Sequence, residues 1–107
     1  MKTSRDTPDD IPHVKLRRCI LELLYEMFKE VPFAQVELSH IEESCETEAR
    51  ELNWNIVYLE KCGYVELNKS AECITHAGVA ATLTAAGIDL VENRPDFEDR
   101  FPTKDTL

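Results

Sequence analysis

Apolar residues recur at helical spacing in the first third of the chain, beginning at Val14. The residues that share one face are Leu16, Ile20, Leu23, Leu24, Met27 and Val31, and those opposite are Arg18, Glu22, Tyr25 and Lys29. This repeat of three and four residues predicts an amphipathic helix of about five turns. We expect the helix to end at Pro32, because the proline ring removes a backbone donor and restricts the residue before it.

Two further helices are predicted after a short link. The first is short and spans residues 36–44, and the second spans residues 48–62 after a turn and N-cap at Glu46–Thr47. The apolar residues that predict them are Leu38, Ile41 and Cys45, and then Ala49, Leu52, Ile56 and Leu59. Gly63 stands just past the third helix, where a left-handed cap favours glycine.

The pattern then changes from helical spacing to strand-like alternation. Residues 64–67 alternate and carry β-forming side chains, and the turn-like residues 68–70 predict a reversal. Two segments compete as the return strand, residues 72–75 and residues 79–83, and both together would also fit. The sequence therefore predicts a β-hairpin but does not decide which segment forms its second strand.

A last helix and a charged segment are predicted after the hairpin. Thr84 is the expected cap of a helix over residues 85–93, and Pro95 is expected to stop it. Beyond it, Phe97 and Phe101 are two aromatic residues among charged neighbours. Aromatic rings are costly to leave in water, so we expect both to pack on their own chain or on a partner subunit.

The composition fits one small domain, with 107 residues of which 43% are hydrophobic and 31% charged. Residues 1–12 lack apolar periodicity and predict a disordered leader, which leaves residues 13–93 as the domain and residues 94–107 as a tail. The net charge of −9 argues against coating of nucleic acid and against anionic membranes. Without a long apolar stretch or an apolar N-terminus, we expect a cytoplasmic protein with no membrane partner.

Candidate chemistry is sparse in this sequence. The four cysteines are expected to be reduced in such a compartment. Cys73 and His76 are spaced like half of a zinc motif, but His40, Cys45 and Cys62 are too scattered to complete one, so no metal is expected. There is no glycine-rich phosphate loop, nucleophile elbow or paired-histidine motif, so we expect neither an enzyme nor a cofactor.

Two segments carry a resemblance to a known family. Residues 59–65 (LEKCGYV) look like the end of a third helix that runs into a strand, and residues 83–92 (LTAAGIDLVE) look like the exit from a hairpin into a closing helix. With the order of predicted elements, residues 14–93 resemble the winged helix-turn-helix family. The resemblance implies an α+β, mostly α fold with three helices, a β-hairpin wing and a closing helix.

The resemblance also implies a function, because small bacterial, archaeal and phage proteins of this kind are often transcription regulators. In the family the third helix, here residues 48–62, enters the major groove of double-stranded DNA, and the wing, here residues 64–83, touches the backbone. Arg50 and Asn53 are side-chain types that read base edges, and lysines hold phosphates. The candidate DNA-binding residues are Arg50, Asn53, Trp54, Tyr58, Lys61 and Lys69.

Charge favours an alternative function for the same domain. Across residues 37–62 only Arg50 and Lys61 are basic, while the acidic residues are Glu37, Glu42, Glu43, Glu46, Glu48, Glu51 and Glu60. DNA binding depends on neutralised phosphates, and the basic residues cluster instead at Lys15, Arg17 and Arg18. An exposed stripe of Trp54, Val57 and Tyr58 would be typical of a protein contact, although Trp54 is equally expected beneath the wing.

A homodimer is also expected, because two symmetric copies would bind two half-sites. The candidate seams are the outer face of the first helix, with Arg18 and Tyr25, and the tail with Phe97 and Phe101. For Arg18 and Tyr25, the favoured interpretation is an ordinary solvent-exposed (wetted) surface with no partner. We therefore expect the tail to contribute to the seam.

Overall fold

The computed structural model describes residues 10–69 and 79–102, which form five helices and three strands. The elements are α1 (Asp10–Glu30), β1 (Val36–Glu37), α2 (Leu38–Ser44), α3 (Ala49–Lys61), β2 (Val65–Lys69), β3 (Val79–Leu83), α4 (Ala85–Glu92) and α5 (Arg94–Arg100). The three strands form one antiparallel sheet. The expectation of an α+β, mostly α fold is confirmed at this level.

The long helix α1 begins at Asp10, earlier than the predicted start at Val14, and ends at Glu30 just before Pro32. It therefore includes the last part of the predicted leader, and residues 1–9 lie outside the described residues. No helix in residues 10–69 and 79–102 combines the length and apolar character that a membrane span requires.

The sheet has β3 at its centre, in the order β1-β3-β2. The pairing of β2 with β3 runs from Val65 opposite Leu83 to Lys69 opposite Val79. Residues 79–83 are thus confirmed as a return strand, while residues 72–75 lie outside the described part of the chain. β1 pairs Val36 with Ala81, so the prediction that α2 starts at residue 36 is wrong. A strand of two residues is too short to show alternation.

Every helix and strand contributes to the core, in which α1 packs on α3, α4 and the sheet. The buried apolar residues are Ile20, Leu21, Leu24, Val36, Leu38, Ile41, Leu52, Ile56, Leu59, Val65, Val79, Ala81, Leu83, Ile88, Val91, Phe97 and Phe101. The predicted stripe of α3 is confirmed except at Ala49, which is exposed because it lies in the first turn. Val31 is also exposed, at 58%, since it follows the end of α1.

Thr84 ties the end of α3, the start of β2 and the start of α4 together. Its hydroxyl donates to the Gly63 carbonyl at 2.6 Å and accepts from the Gly87 amide at 3.1 Å, and its amide donates to the Tyr64 carbonyl at 3.0 Å. Gly63 has φ +86°, the predicted left-handed cap. At Gly87 a Cβ atom would overlap the Tyr64 carbonyl oxygen, so this crossing requires glycine.

Pro95 lies at the start of a helix, so the segment predicted as a tail is helical over residues 94–100. α5 has this proline in its first turn, where a missing amide costs no helical hydrogen bond, and Asn93 caps it by accepting from the Asp96 amide at 3.4 Å. Phe97 and Phe101 are buried in their own chain, at 0% and 2% exposure. The expectation that these rings pack away from water is confirmed.

The turn between α2 and α3 differs from the prediction in two respects. Cys45, at the end of α2, forms a disulfide with Cys19 of α1, with Cα atoms 6.2 Å apart, so the prediction of reduced cysteines is wrong for this pair. The N-cap of α3 is Glu48, whose side chain makes no capping bond, and not Thr47. Glu46 turns the chain with φ +53°.

Candidate functional site

The exposed side of α3 is the candidate site. Leu52, Ile56 and Leu59 face the core, so a position half a turn away faces solvent. We call the residues on that side the α3 face: Arg50, Asn53, Trp54, Tyr58 and Lys61. All five are exposed, with Trp54 at 53% and Tyr58 at 37%. Of the two alternatives for Trp54, burial beneath the wing is excluded.

Arg50 and Trp54 form a stacked pair one helical turn apart. The Cζ atom of Arg50 lies 4.9 Å from the centre of the indole ring. Within the described residues no carboxylate forms an ion pair with Arg50 or Lys61. Their charges are thus open to a ligand.

A further cation, Arg17, reaches the α3 face from α1. The Cζ atom of Arg17 lies 3.8 Å from the centre of the Tyr58 ring, and its Nε donates to Oδ1 of Asn55 at 2.8 Å. Arg17 was not among the predicted site residues. Its place in the basic cluster at the start of the first helix was the signal that could have found it, but the angle between α1 and α3 cannot be read from the sequence.

Asn55 anchors Arg17 from inside the α1–α3 contact, where it is only 1% exposed. Its Nδ2 donates to the Glu51 carbonyl at 2.8 Å and lies 3.3 Å from Nδ1 of His13. With the Arg17 bond, both ends of this buried amide are satisfied. The side chain of Arg17 is therefore held in place on Tyr58 before any ligand arrives.

Arg100 brings a third arginine to the edge of the α3 face. Its Nη1 donates to the Tyr64 hydroxyl at 2.8 Å, and its Cζ lies 5.5 Å from the centre of that ring. Burial opposes its charge, but Tyr64, Tyr58 and Cys62 outweigh this effect and raise the pKa of Arg100. Arg17 and Arg100 together, which we call the flanking arginines, extend the positive charge beyond α3.

Acidic residues surround the α3 face without lying on it. At 100° per residue, Glu51 and Glu60 fall on opposite flanks of the helix. Glu46 and Glu48 are exposed before its first turn. The predicted acidic balance of residues 37–62 is therefore concentrated off the face. Lys69, the sixth predicted site residue, ends β2 and belongs to another element.

The residues predicted as a dimer seam serve their own chain. Arg18 is 8% exposed and donates to both carboxylate oxygens of Glu98 at 2.9 Å and to the Phe101 carbonyl at 2.7 Å. Its Cζ lies 4.8 Å from the centre of the Phe97 ring. We call Arg18, Phe97, Glu98 and Phe101 the C-terminal clamp. The interpretation of Arg18 as a wetted surface is wrong, because α5 covers it.

Tyr25, the other predicted seam residue, is half-buried. Its hydroxyl donates to Oε2 of Glu92 at 2.8 Å, and this bond raises the pKa of the Tyr25 hydroxyl. The bond joins α1 to α4 within one chain.

An open groove with a volume of about 570 Å³ lies beside the disulfide, next to the start of α3. Its lining includes His13, Lys15, Glu46 and Glu51, so it mixes both charges. Within the described residues no three His, Cys, Asp or Glu side chains are placed to hold a metal ion. Cys73 and His76, the half-motif, lie outside those residues. Comparisons of the chain with protein-family models, curated proteins and solved structures find no match.

Proposed function

We propose that this chain is a winged helix-turn-helix protein that binds double-stranded DNA as a transcription regulator. In this proposal α3 enters the major groove and the β2–β3 hairpin lies on the DNA backbone. The order α1-β1-α2-α3-β2-β3 supports it, because this order places a hairpin directly after the third helix, and the sheet order β1-β3-β2 packs that hairpin beside the helices.

The observation that carries the proposal is the charge of the α3 face. On a chain of net charge −9, this face presents Arg50 and Lys61 with no acidic residue among its members. The flanking arginines add two further cations at its edge. A local positive surface of this kind supplies the phosphate contacts from which protein–DNA complexes draw affinity.

Four of the six predicted residues have distinct roles in this complex. Arg50 would pair with guanine, and Asn53 with adenine, because their donors match the edges of these bases. Lys61 would neutralise a phosphate beside the groove, and Lys69, at the end of β2, one beneath the hairpin. Base contacts set the sequence preference, and phosphate contacts set the salt dependence.

The test is a titration of the full chain against random duplex DNA and against the DNA upstream of its own gene at two salt concentrations. We expect binding that weakens steeply with salt, with the slope reduced by about one for Lys61→Ala and Lys69→Ala. Arg50→Ala should weaken binding to preferred DNA about 5- to 100-fold. Lys29→Ala, on the far end of α1, is the matched control and should change nothing.

Absence of binding at micromolar protein in low salt would contradict the proposal. It would favour a second function, a winged-helix module that binds a protein. The specific observation for that function is Trp54, whose large ring is 53% exposed, with acidic residues on both flanks of the helix. Binding to such a partner should depend only weakly on salt, unlike binding to DNA.

We further propose that two copies act together on DNA as a homodimer, since one domain of this size makes few base contacts. Because Phe97 and Phe101 are buried in their own chain, we propose a seam that is formed by other residues. Light scattering of the free chain and of its DNA complex measures the stoichiometry. A monomer in both states would contradict the homodimer and leave the DNA proposal intact.

A further inference from the structure

Two aromatic residues lie one helical turn apart on the α3 face, and an arginine side chain packs against the ring of each. Trp54 lies at the middle of α3 with Arg50 stacked on it, and Tyr58 follows one turn later with Arg17 stacked on it at 3.8 Å. Side chains four apart on a helix lie about 5–6 Å from each other. The two rings therefore project from the same side of the helix, and Arg17 holds that of Tyr58.

The indole of Trp54 is poorly suited to reading the edge of a base pair. It offers one hydrogen-bond donor and no acceptor, whereas the major groove is read through paired donors and acceptors. Its large feature is a flat ring face, and the natural partner of a ring face is the face of another ring. In an intact duplex, neighbouring bases cover both faces of every base. Only an unpaired base has a face to offer.

The charges around the two rings match a strand whose bases are unpaired. The cations are Arg50, Lys61 and the flanking arginines, and they border the rings along the helix and at its C-terminal end. Proteins that hold single strands combine aromatic stacking with cations along the backbone in this way. Glu51 and Glu60 lie on the two flanks of α3 and border this track.

We infer that the α3 face recognises unpaired nucleobases, and that the DNA it prefers is a duplex opened over a few bases. Trp54 stacks on one unpaired base, Tyr58 supports its neighbour, and the surrounding cations hold the strand. The inference rests on the proposed DNA binding and specifies the kind of DNA that is bound.

Trp54 is the only tryptophan of the chain, so its fluorescence reports on this contact directly. The experiment titrates the full chain with a single-stranded oligothymidine, an intact duplex and the same duplex carrying a central mismatched bubble. We expect quenching of Trp54 by the single strand and the bubble. We expect the bubble to bind about 10-fold more tightly than the intact duplex, as one stacked base contributes.

Variants separate stacking from general affinity. Trp54→Ala should remove the preference for the bubble, and Trp54→Phe should retain part of it, since a smaller ring still stacks. Phe33→Ala is the matched control, because Phe33 is also 53% exposed but lies after α1, and it should leave the preference unchanged. Anisotropy of labelled DNA gives affinities for the variants that lack tryptophan, and circular dichroism checks their folding.

The outcomes distinguish the inference from the function on which it rests. Equal binding of duplex and bubble, without quenching, would overturn the inference and leave duplex binding intact. A bubble preference that survives Trp54→Ala would overturn the role of stacking. Failure of all three DNA probes to bind would overturn both the inference and the proposed function.

Discussion

Two arginines, each beside its own aromatic ring and at nearly the same distance from it, have different roles. Arg18 lies 4.8 Å from the Phe97 ring centre and Arg50 lies 4.9 Å from that of Trp54. In the C-terminal clamp, Arg18 is 8% exposed and its donors reach Glu22, Glu98 and the Phe101 carbonyl. Arg50 is exposed and makes no ion pair within the described residues.

The difference shows what separates a structural cation–aromatic pair from one that can bind. In the clamp, the partners of the cation and the faces of the ring all belong to the chain, so the pair stabilises the fold. On the α3 face the cation keeps its donors and the ring keeps one side for a ligand. Distance alone does not distinguish the two cases.

The largest effect that separates the two regions should come from removing their rings. Phe97→Ala removes a fully buried side chain and should lower the free energy of unfolding by about 3–5 kcal/mol. Trp54→Ala removes an exposed ring and should change it by less than about 0.5 kcal/mol. Urea denaturation measures both. Equal losses would mean that the α3 face is part of the core.

The next effect concerns the disulfide, which joins α1 to the end of α2. Cys19 and Cys45 are 26 residues apart, and opening a loop of this length should cost about 3 kcal/mol. Thiol reductants and Cys45→Ser should both lower the unfolding midpoint, and Cys62→Ser, which removes a thiol outside the disulfide, is the control. An unfolding midpoint that is the same with and without reductant would contradict the presence of the disulfide.

Replacing Arg18 and Arg50 should also change the free energy of unfolding by different amounts, but the difference should be smaller. Arg18→Met leaves Glu98 and the Phe101 carbonyl without their donor, at a cost of about 2 kcal/mol. Arg50→Met should cost less than about 0.5 kcal/mol and act on ligand binding instead. Thermal unfolding beside a DNA titration gives both values. An unstable Arg50→Met variant would remove the distinction between the regions.

The smallest contrast is the response of the clamp to acid. The hydrogen bond from Arg18 lowers the pKa of Glu98 below its ordinary value, and the charges of Arg18 and Arg94 add to the effect. Because the pKa is lower in the folded state, this stabilisation is present at neutral pH and is lost as the pH falls below about 5. Wild type should therefore lose more stability on acidification than Glu98→Gln does. Parallel denaturation curves across this range check it, and identical losses would contradict it.

The repeating elements of the fold were predictable, because packing imposes a period on the sequence. The stripes of α1 and α3, the cap at Gly63 and the helix after Thr84 all follow from such local rules. β1 could not be predicted from such rules, because a strand of two residues is too short to show a repeating pattern. Pro95 was interpreted as a stop signal, but the same ring that ends one helix is accepted in the first turn of the next.

The α3 face was predictable as a set of exposed positions, because Arg50, Trp54 and Lys61 lie opposite a recognisable buried stripe. The partners of that face were not. Arg17 and Arg100 reach it from distant elements, and their placement depends on the packing of α1 and α5. The prediction that Arg18 is exposed to solvent is wrong for the same reason. Arg18 lies on the polar side of α1, and only the packing of α5 buries it.

The clamp also sets the time at which the chain can finish folding. Arg18 and Glu98 are 80 residues apart in sequence. At 5–20 residues per second, a ribosome needs about 4–16 s to travel from one to the other. Throughout that interval α1 exists without the helix that covers its arginine and supplies the Phe97 ring. The nascent chain therefore exposes an incomplete apolar surface until α5 is made, and chaperones would meet it during this interval.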